Sequence, residues 1–205
     1  MSNNPYHRDA GFYELNLSLP VISAIRRQEA RIVLESLAGY ADAAERVLEV
    51  GPGTGFYTLP LSRMFREVVA VEDSARMAEV LRERVRAAGA ANVTVVNGDF
   101  LAREEDGRYE VAVAIGVLDY IGDPAAFVTK LCACARRAVV LTVPQQGLWG
   151  RCFVAANRLR GTAVYCYRAG ALSDWAPGWR CTTKEVGLRT PLTRGLTLVA
   201  ALERV

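Results

Sequence analysis

Glu49-Val50-Gly51-Pro52-Gly53-Thr54-Gly55 puts a carboxylate two residues ahead of three glycines spaced at every second position. Glycines so placed let the chain turn sharply and let a ligand approach where a Cβ would collide. The apolar run Val47-Leu48 enters this turn and a helical pattern leaves it, as at the nucleotide-binding corner of an open α/β sheet. Two details bear on the ligand's charge. The dinucleotide pattern Gly-x-Gly-x-x-Gly fails at its third glycine, where Phe56 stands, and Pro52 removes one loop N–H. A carboxylate at Glu49 repels a pyrophosphate and attracts a cation. The turn therefore suits a positively charged nucleoside better than a phosphorylated one.

S-adenosylmethionine has that character: a sulfonium, an ammonium and no phosphate. Three further stretches follow in a telling order. Val68-Val69-Ala70-Val71-Glu72-Asp73 reads as a second strand ending in acid, and Val95-Val96-Asn97-Gly98-Asp99-Phe100 as a third strand with a Gly-Asp turn. Tyr109 to Pro124 reads as a fourth strand, Val111 to Ile115, with its exit loop. Together with the glycine turn these stretches resemble the class I S-adenosylmethionine-dependent methyltransferases. The resemblance spans roughly positions 45 to 144 and then fades.

The resemblance implies a role for each residue. Glu49 would face the methionine ammonium, and Gly51, Gly53 and Gly55 would bring backbone close to the cofactor. Capping of the next helix is the alternative for Glu49. Glu72, about twenty residues beyond the turn, would accept hydrogen bonds from both ribose hydroxyls. NAD-binding folds share that feature, so Glu72 supports nucleoside binding without choosing between the two. Asp99 would accept from the adenine amino group, with Phe100 near the base, although a Gly-Asp turn is also a common connector. Gly116 and Val117 would approach the methionine portion.

No catalytic residue is assigned. Where one small-molecule subset of the family has His after an acidic residue, this chain has Tyr120 after Asp119. Its single histidine, His7, sits in the N-terminal arm with no nucleophile elbow elsewhere, which argues against a hydrolase. No histidine–carboxylate cluster suggests a metal. Methyl transfer asks little more than an acceptor held in line about 3 Å away in a dry pocket. A base is needed only when the acceptor must lose a proton first. Tyr13, Tyr120, Tyr165 and Tyr167 are candidate pocket walls rather than bases. Trp149 and Phe153 with nearby arginines suggest an apolar cleft with a cationic rim, though plain packing of an amphipathic helix explains them more simply.

These residues need a scaffold to hold them. Short apolar strands at 46–50, 68–71, 93–97, 111–115 and 138–143 alternate with helical patterns at 57–64, 75–88 and 124–134. That alternation implies a doubly wound, mostly parallel sheet with helices on both faces. By the resemblance the sheet is Rossmann-like and seven-stranded, closing with an antiparallel last strand; strands about 180–186 and 196–202 would complete it. A helix over Pro20 to Leu37 carries an apolar stripe, while Arg26, Arg27, Gln28 and Glu29 form a face expected to be solvated. Residues 1–40 are expected to cover the pocket, 45–144 to form the cofactor core and 145–205 to supply the substrate side, all as one domain.

Composition adds bounds. With 25 basic and 22 acidic residues the net charge of +3 does not demand a nucleic-acid partner. No stretch approaches the roughly 18 to 20 apolar residues of a membrane span, and the polar Met1 to Asp9 lacks a signal core. A cytoplasmic location is expected. Five cysteines without a Cys-x-x-Cys pair read as reduced thiols. The expected activity is methyl transfer from S-adenosylmethionine to a small molecule, oxygen first. The alternatives are a protein or RNA methyltransferase, a silent nucleoside-binding module and an NAD(P) oxidoreductase.

Overall fold

The computed structural model describes residues 20–41, 46–105, 109–159, 161–168, 170–187 and 196–204. The arm bearing His7 and Tyr13 lies outside them, as do the side chains of Trp149 and Phe153. Seven strands form one sheet: β1 (Arg46–Val50), β2 (Glu67–Glu72), β3 (Val93–Asn97), β4 (Tyr109–Ala114), β5 (Ala135–Pro144), β6 (Trp179–Val186) and β7 (Thr197–Arg204). Their order is β3-β2-β1-β4-β5-β7-β6. The first five run parallel; β7 is antiparallel to both β5 and β6. The strand order reverses between β1 and β4, so the crevice above their C-terminal ends is where this topology binds ligands.

The central strands β1, β2, β4 and β5 are buried on both faces, and their alternate residues serve two cores. Leu48, Val50, Val69, Val71, Ala112 and Ala114 face one core, which is filled by Phe127, Val128 and Leu131 of helix α4 (Pro124–Cys134). Val47, Val68, Val111 and Val113 face the other. Ile32, Val33 and Leu37 of α1 (Pro20–Ala38) and Leu61 of α2 (Thr58–Met64) close that side. Phe127 alone, 2% exposed, contributes about 1.5–3 kcal/mol by leaving water. Between these helices comes α3 (Ala75–Ala87), and α5 (Leu148–Leu159) and α6 (Ala171–Trp175) follow β5.

Local chemistry sets the helix ends. Ser74 Oγ accepts from the Met77 N–H at the start of α3, and Asp123 accepts from the Ala126 N–H at the start of α4, where Pro124 needs no donor. The expected doubly wound fold is the observed one. Among the described residues no helix is long and apolar enough to cross a membrane. All five cysteines are free, with Cys132 and Cys134 buried in α4.

Candidate functional site

Strand alternation that buries Val47 also sends Glu49 toward the α1–α2 face of the sheet. There Glu49, 3% exposed, accepts a 2.6 Å hydrogen bond from the Thr58 hydroxyl at the start of α2. Burial raises the Glu49 carboxyl to about 7; Thr58 opposes the rise and the nearby Glu72 carboxylate adds to it. A buried carboxylate of this kind is costly alone and is stabilised by an arriving cation.

The turn after β1 has Gly51, Gly53 and Gly55 at φ of 69°, 58° and 92°. The three serve different ends. A Cβ on Gly51 would lie 2.6 Å from Val117 Cγ2 on the β4 exit loop, and one on Gly55 2.5 Å from Leu81 Cδ1 of α3, so these two permit close packing of the turn. A Cβ on Gly53 meets nothing within 4 Å, and the same holds for Gly116 at φ 70°. Gly53 and Gly116 face open space at the sheet edge. Gly116 is held there by donating its N–H to buried Thr142 Oγ1 at 2.7 Å.

Glu72 links the turns. Its Oε2 accepts from the Gly53 N–H and its Oε1 from the Ser74 N–H, each at 2.9 Å, while its carbonyl accepts from the Gly98 N–H at 2.9 Å. An amide that could have bound a phosphate is thus committed to the protein's own carboxylate. Asn97 Nδ2 ties the same β2 exit to β3 through the Glu72 and Asp73 carbonyls. Asp99 is exposed, and its Oδ1 accepts from the Leu101 N–H at 2.8 Å. Phe100 is 4% exposed and packs edge-on against Phe127, with ring centroids 5.4 Å apart.

Past β4, Leu118–Tyr120 form a single 3-10 turn. The Asp119 carbonyl accepts from the Tyr165 N–H at 2.8 Å, and the Tyr167 hydroxyl donates to the Ile121 carbonyl. The stretch 162–167 therefore crosses the exits of β4 and β5. Burial raises the Asp119 carboxyl to about 7, helped by the charge of Glu29. Glu29 corrects the expectation of a solvated α1 face: it is half-buried and accepts from the Tyr57 hydroxyl at 2.8 Å. Arg26 lies 4.3 Å from the Phe56 ring centroid, and Gln28 accepts from the Gly187 N–H at 3.2 Å. The polar face of α1 packs in part on Phe56 and Tyr57, just past the glycine turn, and on Gly187 after β6. Glu29, Thr58 and Thr142 were not singled out by sequence; Thr58, a hydroxyl at a helix start nine residues after Glu49, was the one with a usable signal. No group of three or more His, Cys, Asp or Glu suited to a metal occurs among the described residues.

A seven-stranded sheet in this order, with its glycine turn, paired carboxylates and open C-terminal edge, is the architecture of a Rossmann-like nucleoside-binding protein of class I type. Residues 47–138 match the family described as methyltransferase domain. That match covers just under half of the chain, and the strand order is that of the class I S-adenosylmethionine-dependent methyltransferase fold.

Among curated proteins, ribosomal RNA small subunit methyltransferase A of Desulforapulum autotrophicum is 38% identical over 93 residues, 44% of this chain and 32% of that protein. Protein-L-isoaspartate O-methyltransferase of Rhodopseudomonas palustris is 28% identical over 130 residues, 59% of this chain and 56% of that one. The chain thus matches between about a third and just over half of the length of these relatives. Among solved structures, magnesium protoporphyrin IX methyltransferase from Synechocystis with bound SAH superposes with a TM-score of 0.74 at 17% identity, covering 89% of this chain and 84% of that one. The N-methyltransferase NodS of Bradyrhizobium japonicum in complex with S-adenosyl-L-homocysteine gives 0.69 at 14%, covering 93% and 95%. At these identities the likeness is one of fold.

Proposed function

We propose that this protein binds S-adenosylmethionine at the C-terminal ends of β1 to β4 and transfers its methyl group to a small-molecule acceptor, an oxygen acceptor first. The observation that carries the reading is the commitment of the Gly53 amide to Glu72 beside buried Glu49. Two carboxylates stand where a phosphate-binding turn needs free donors.

The residues present fit the cofactor. Open space at Gly53 and Gly116 leaves room for a ligand against bare backbone. Glu49 would hold the methionine ammonium, Glu72 the ribose hydroxyls and Asp99 the adenine amino group. When bound, the cofactor supplies a methyl group already activated by its sulfonium. What the protein adds is placement and exclusion of water. Asp119 stands on the loop after β4, and a carboxylate there would be the base for a hydroxyl acceptor that must lose its proton. The matched proteins are named for RNA, protein, porphyrin and nitrogen methylation, so the acceptor reading rests on this chain's own residues.

Titration calorimetry with S-adenosylhomocysteine and NAD, followed by transfer of labelled methyl from S-adenosylmethionine to panels of phenols, carboxylic acids and amines, tests both parts. Binding of S-adenosylhomocysteine without NAD binding, and label on a hydroxyl or carboxyl oxygen, is expected. NAD binding alone overturns the cofactor assignment. Label appearing only on RNA, protein or amines overturns the acceptor assignment.

A further inference from the structure

The turn expected to read the adenine has an anchor that no motif predicts. Lys130 leaves α4 and reaches the loop after β3, donating from Nζ to the Phe100 carbonyl at 2.6 Å, the Leu101 carbonyl at 3.0 Å and the Arg103 carbonyl. Its ammonium also lies 5.0 Å from the Phe100 ring centroid. An ammonium carries three protons and no acceptor, and here three main-chain oxygens are its partners. Those oxygens surround a tight turn: the Ala102 and Arg103 N–H groups both donate to the Asp99 carbonyl at 3.2 Å, and the Leu101 N–H donates to the Asp99 carboxylate. Carbonyls that converge on one side repel one another, and a cation at their focus offsets that repulsion. The Phe100 ring, seated on Phe127 of the same helix, pins the turn from beneath.

We propose that Lys130 is a positioning residue for the nucleoside base: its ammonium holds the three carbonyls of the Asp99 turn so that the Asp99 carboxylate is presented to the exocyclic amine of a bound adenine. The proposal rests on the cofactor reading above. It extends that reading from the motif residues to a helix 30 positions away in sequence. Lys130 touches no ligand itself; it acts through Asp99.

The test compares S-adenosylhomocysteine with its deaminated analogue S-inosylhomocysteine, which lacks the exocyclic amine, by calorimetry on the full chain. The wild type is expected to prefer the adenosine form by about tenfold or more, since a site built to bond an N–H rejects a ligand lacking it. Lys130→Met is expected to lose most of that preference while retaining affinity for the inosine form. Lys130→Arg is expected to restore part of it, and Lys130→Gln serves in place of the Met variant should that fail to fold. A purely structural lysine lowers Tm and weakens both ligands equally; an unchanged ratio in the variants overturns the proposal. So does a wild type that binds both analogues alike. A wild type that binds neither overturns the cofactor reading itself, a distinguishable result.

Discussion

The loops after β1, β2 and β3 are tied to one another, whereas those after β4 and β5 are held largely by segments from far along the chain. On the first side Gly53 donates to Glu72 across 19 positions, and Gly51 and Gly98 donate to the exits of neighbouring strands. On the second, the Tyr167 hydroxyl reaches the Ile121 carbonyl across 46 positions, and the Tyr165 N–H closes onto Asp119. One half is a preorganised lattice of main-chain donors and carboxylates. The other is a wall of tyrosines and acids set by tertiary packing. If the first half serves the cofactor and the second the acceptor, substitutions must separate along the same line.

The strongest separation is expected at Glu49. Glu49→Gln keeps the shape and can still accept from Thr58, but removes the charge that an ammonium would meet. Affinity for S-adenosylhomocysteine is expected to fall by about 2 kcal/mol or more, roughly thirtyfold. Stability measured by thermal melting at pH 8 is not expected to fall with it, because the variant also removes a buried charge next to Glu72. Equal loss of binding and of Tm would make Glu49 a structural residue.

The glycines divide next. Gly51→Ala imposes a left-handed conformation on a residue with a Cβ and drives its methyl into Val117, at a combined cost of about 2–5 kcal/mol. Gly53→Ala carries the backbone penalty of about 1–2 kcal/mol without a clash. Gly51→Ala should therefore lower Tm more, and Gly53→Ala should lower cofactor affinity more relative to its effect on Tm. Reversed ranks would mean that the space above Gly53 is not where the ligand lies.

Those glycines also show what could be read in advance. Gly51, Gly53, Glu49 and Glu72 announce themselves because a strand–turn–helix places them within one short stretch or at the end of the next strand, and backbone geometry fixes their use. The doubly wound, mostly parallel character of the sheet followed from the alternation of apolar runs with helices, and its antiparallel close from the family resemblance. Lys130 could not be read, because a lysine on a helix acquires its partners only once α4 is docked against the β3 turn. Glu29 was misjudged for the same reason: a polar helix face looks solvated until a side chain such as Tyr57 is laid against it. The packing of Phe100 on Phe127 could not be read either, because a motif records position whereas the direction of a ring depends on the core behind it.

Protonation of Glu49 sharpens the contrast. Burial pushes its carboxyl up to about 7 from an ordinary 4.5. A cationic ligand needs the ionised form. Affinity for S-adenosylhomocysteine is expected to climb with pH, by up to about tenfold per pH unit, until it levels off above about 7. Stability of the free protein runs the other way: the contribution from the raised carboxyl is complete below 4.5 and is lost as pH rises through about 7. Thr58→Val removes a donor that favours the charged form and should move the midpoint upward, by the ~1 kcal/mol of one hydrogen bond. Calorimetry across pH 5 to 9 on wild type, Thr58→Val and Glu49→Gln checks all three, and a flat wild-type profile would detach Glu49 from the ligand.

The smallest effect on cofactor binding is expected from Tyr165→Phe, and its smallness is the point. Tyr165 is 39% exposed, and it is its main-chain N–H, kept in the variant, that donates to Asp119. Its phenol oxygen lies beside Gly122, at 3.2 Å from where a Cβ there would stand, on the β4 exit and away from the glycine turn. Sites that share no partners act independently, so affinity for S-adenosylhomocysteine should stay within about twofold of wild type. KM for a methyl acceptor should move, because the hydroxyl is a polar group on the wall that faces it. A tenfold loss of cofactor affinity in this variant would show that the two halves of the edge are a single coupled site, and that the division drawn from their hydrogen bonds is not a division of labour.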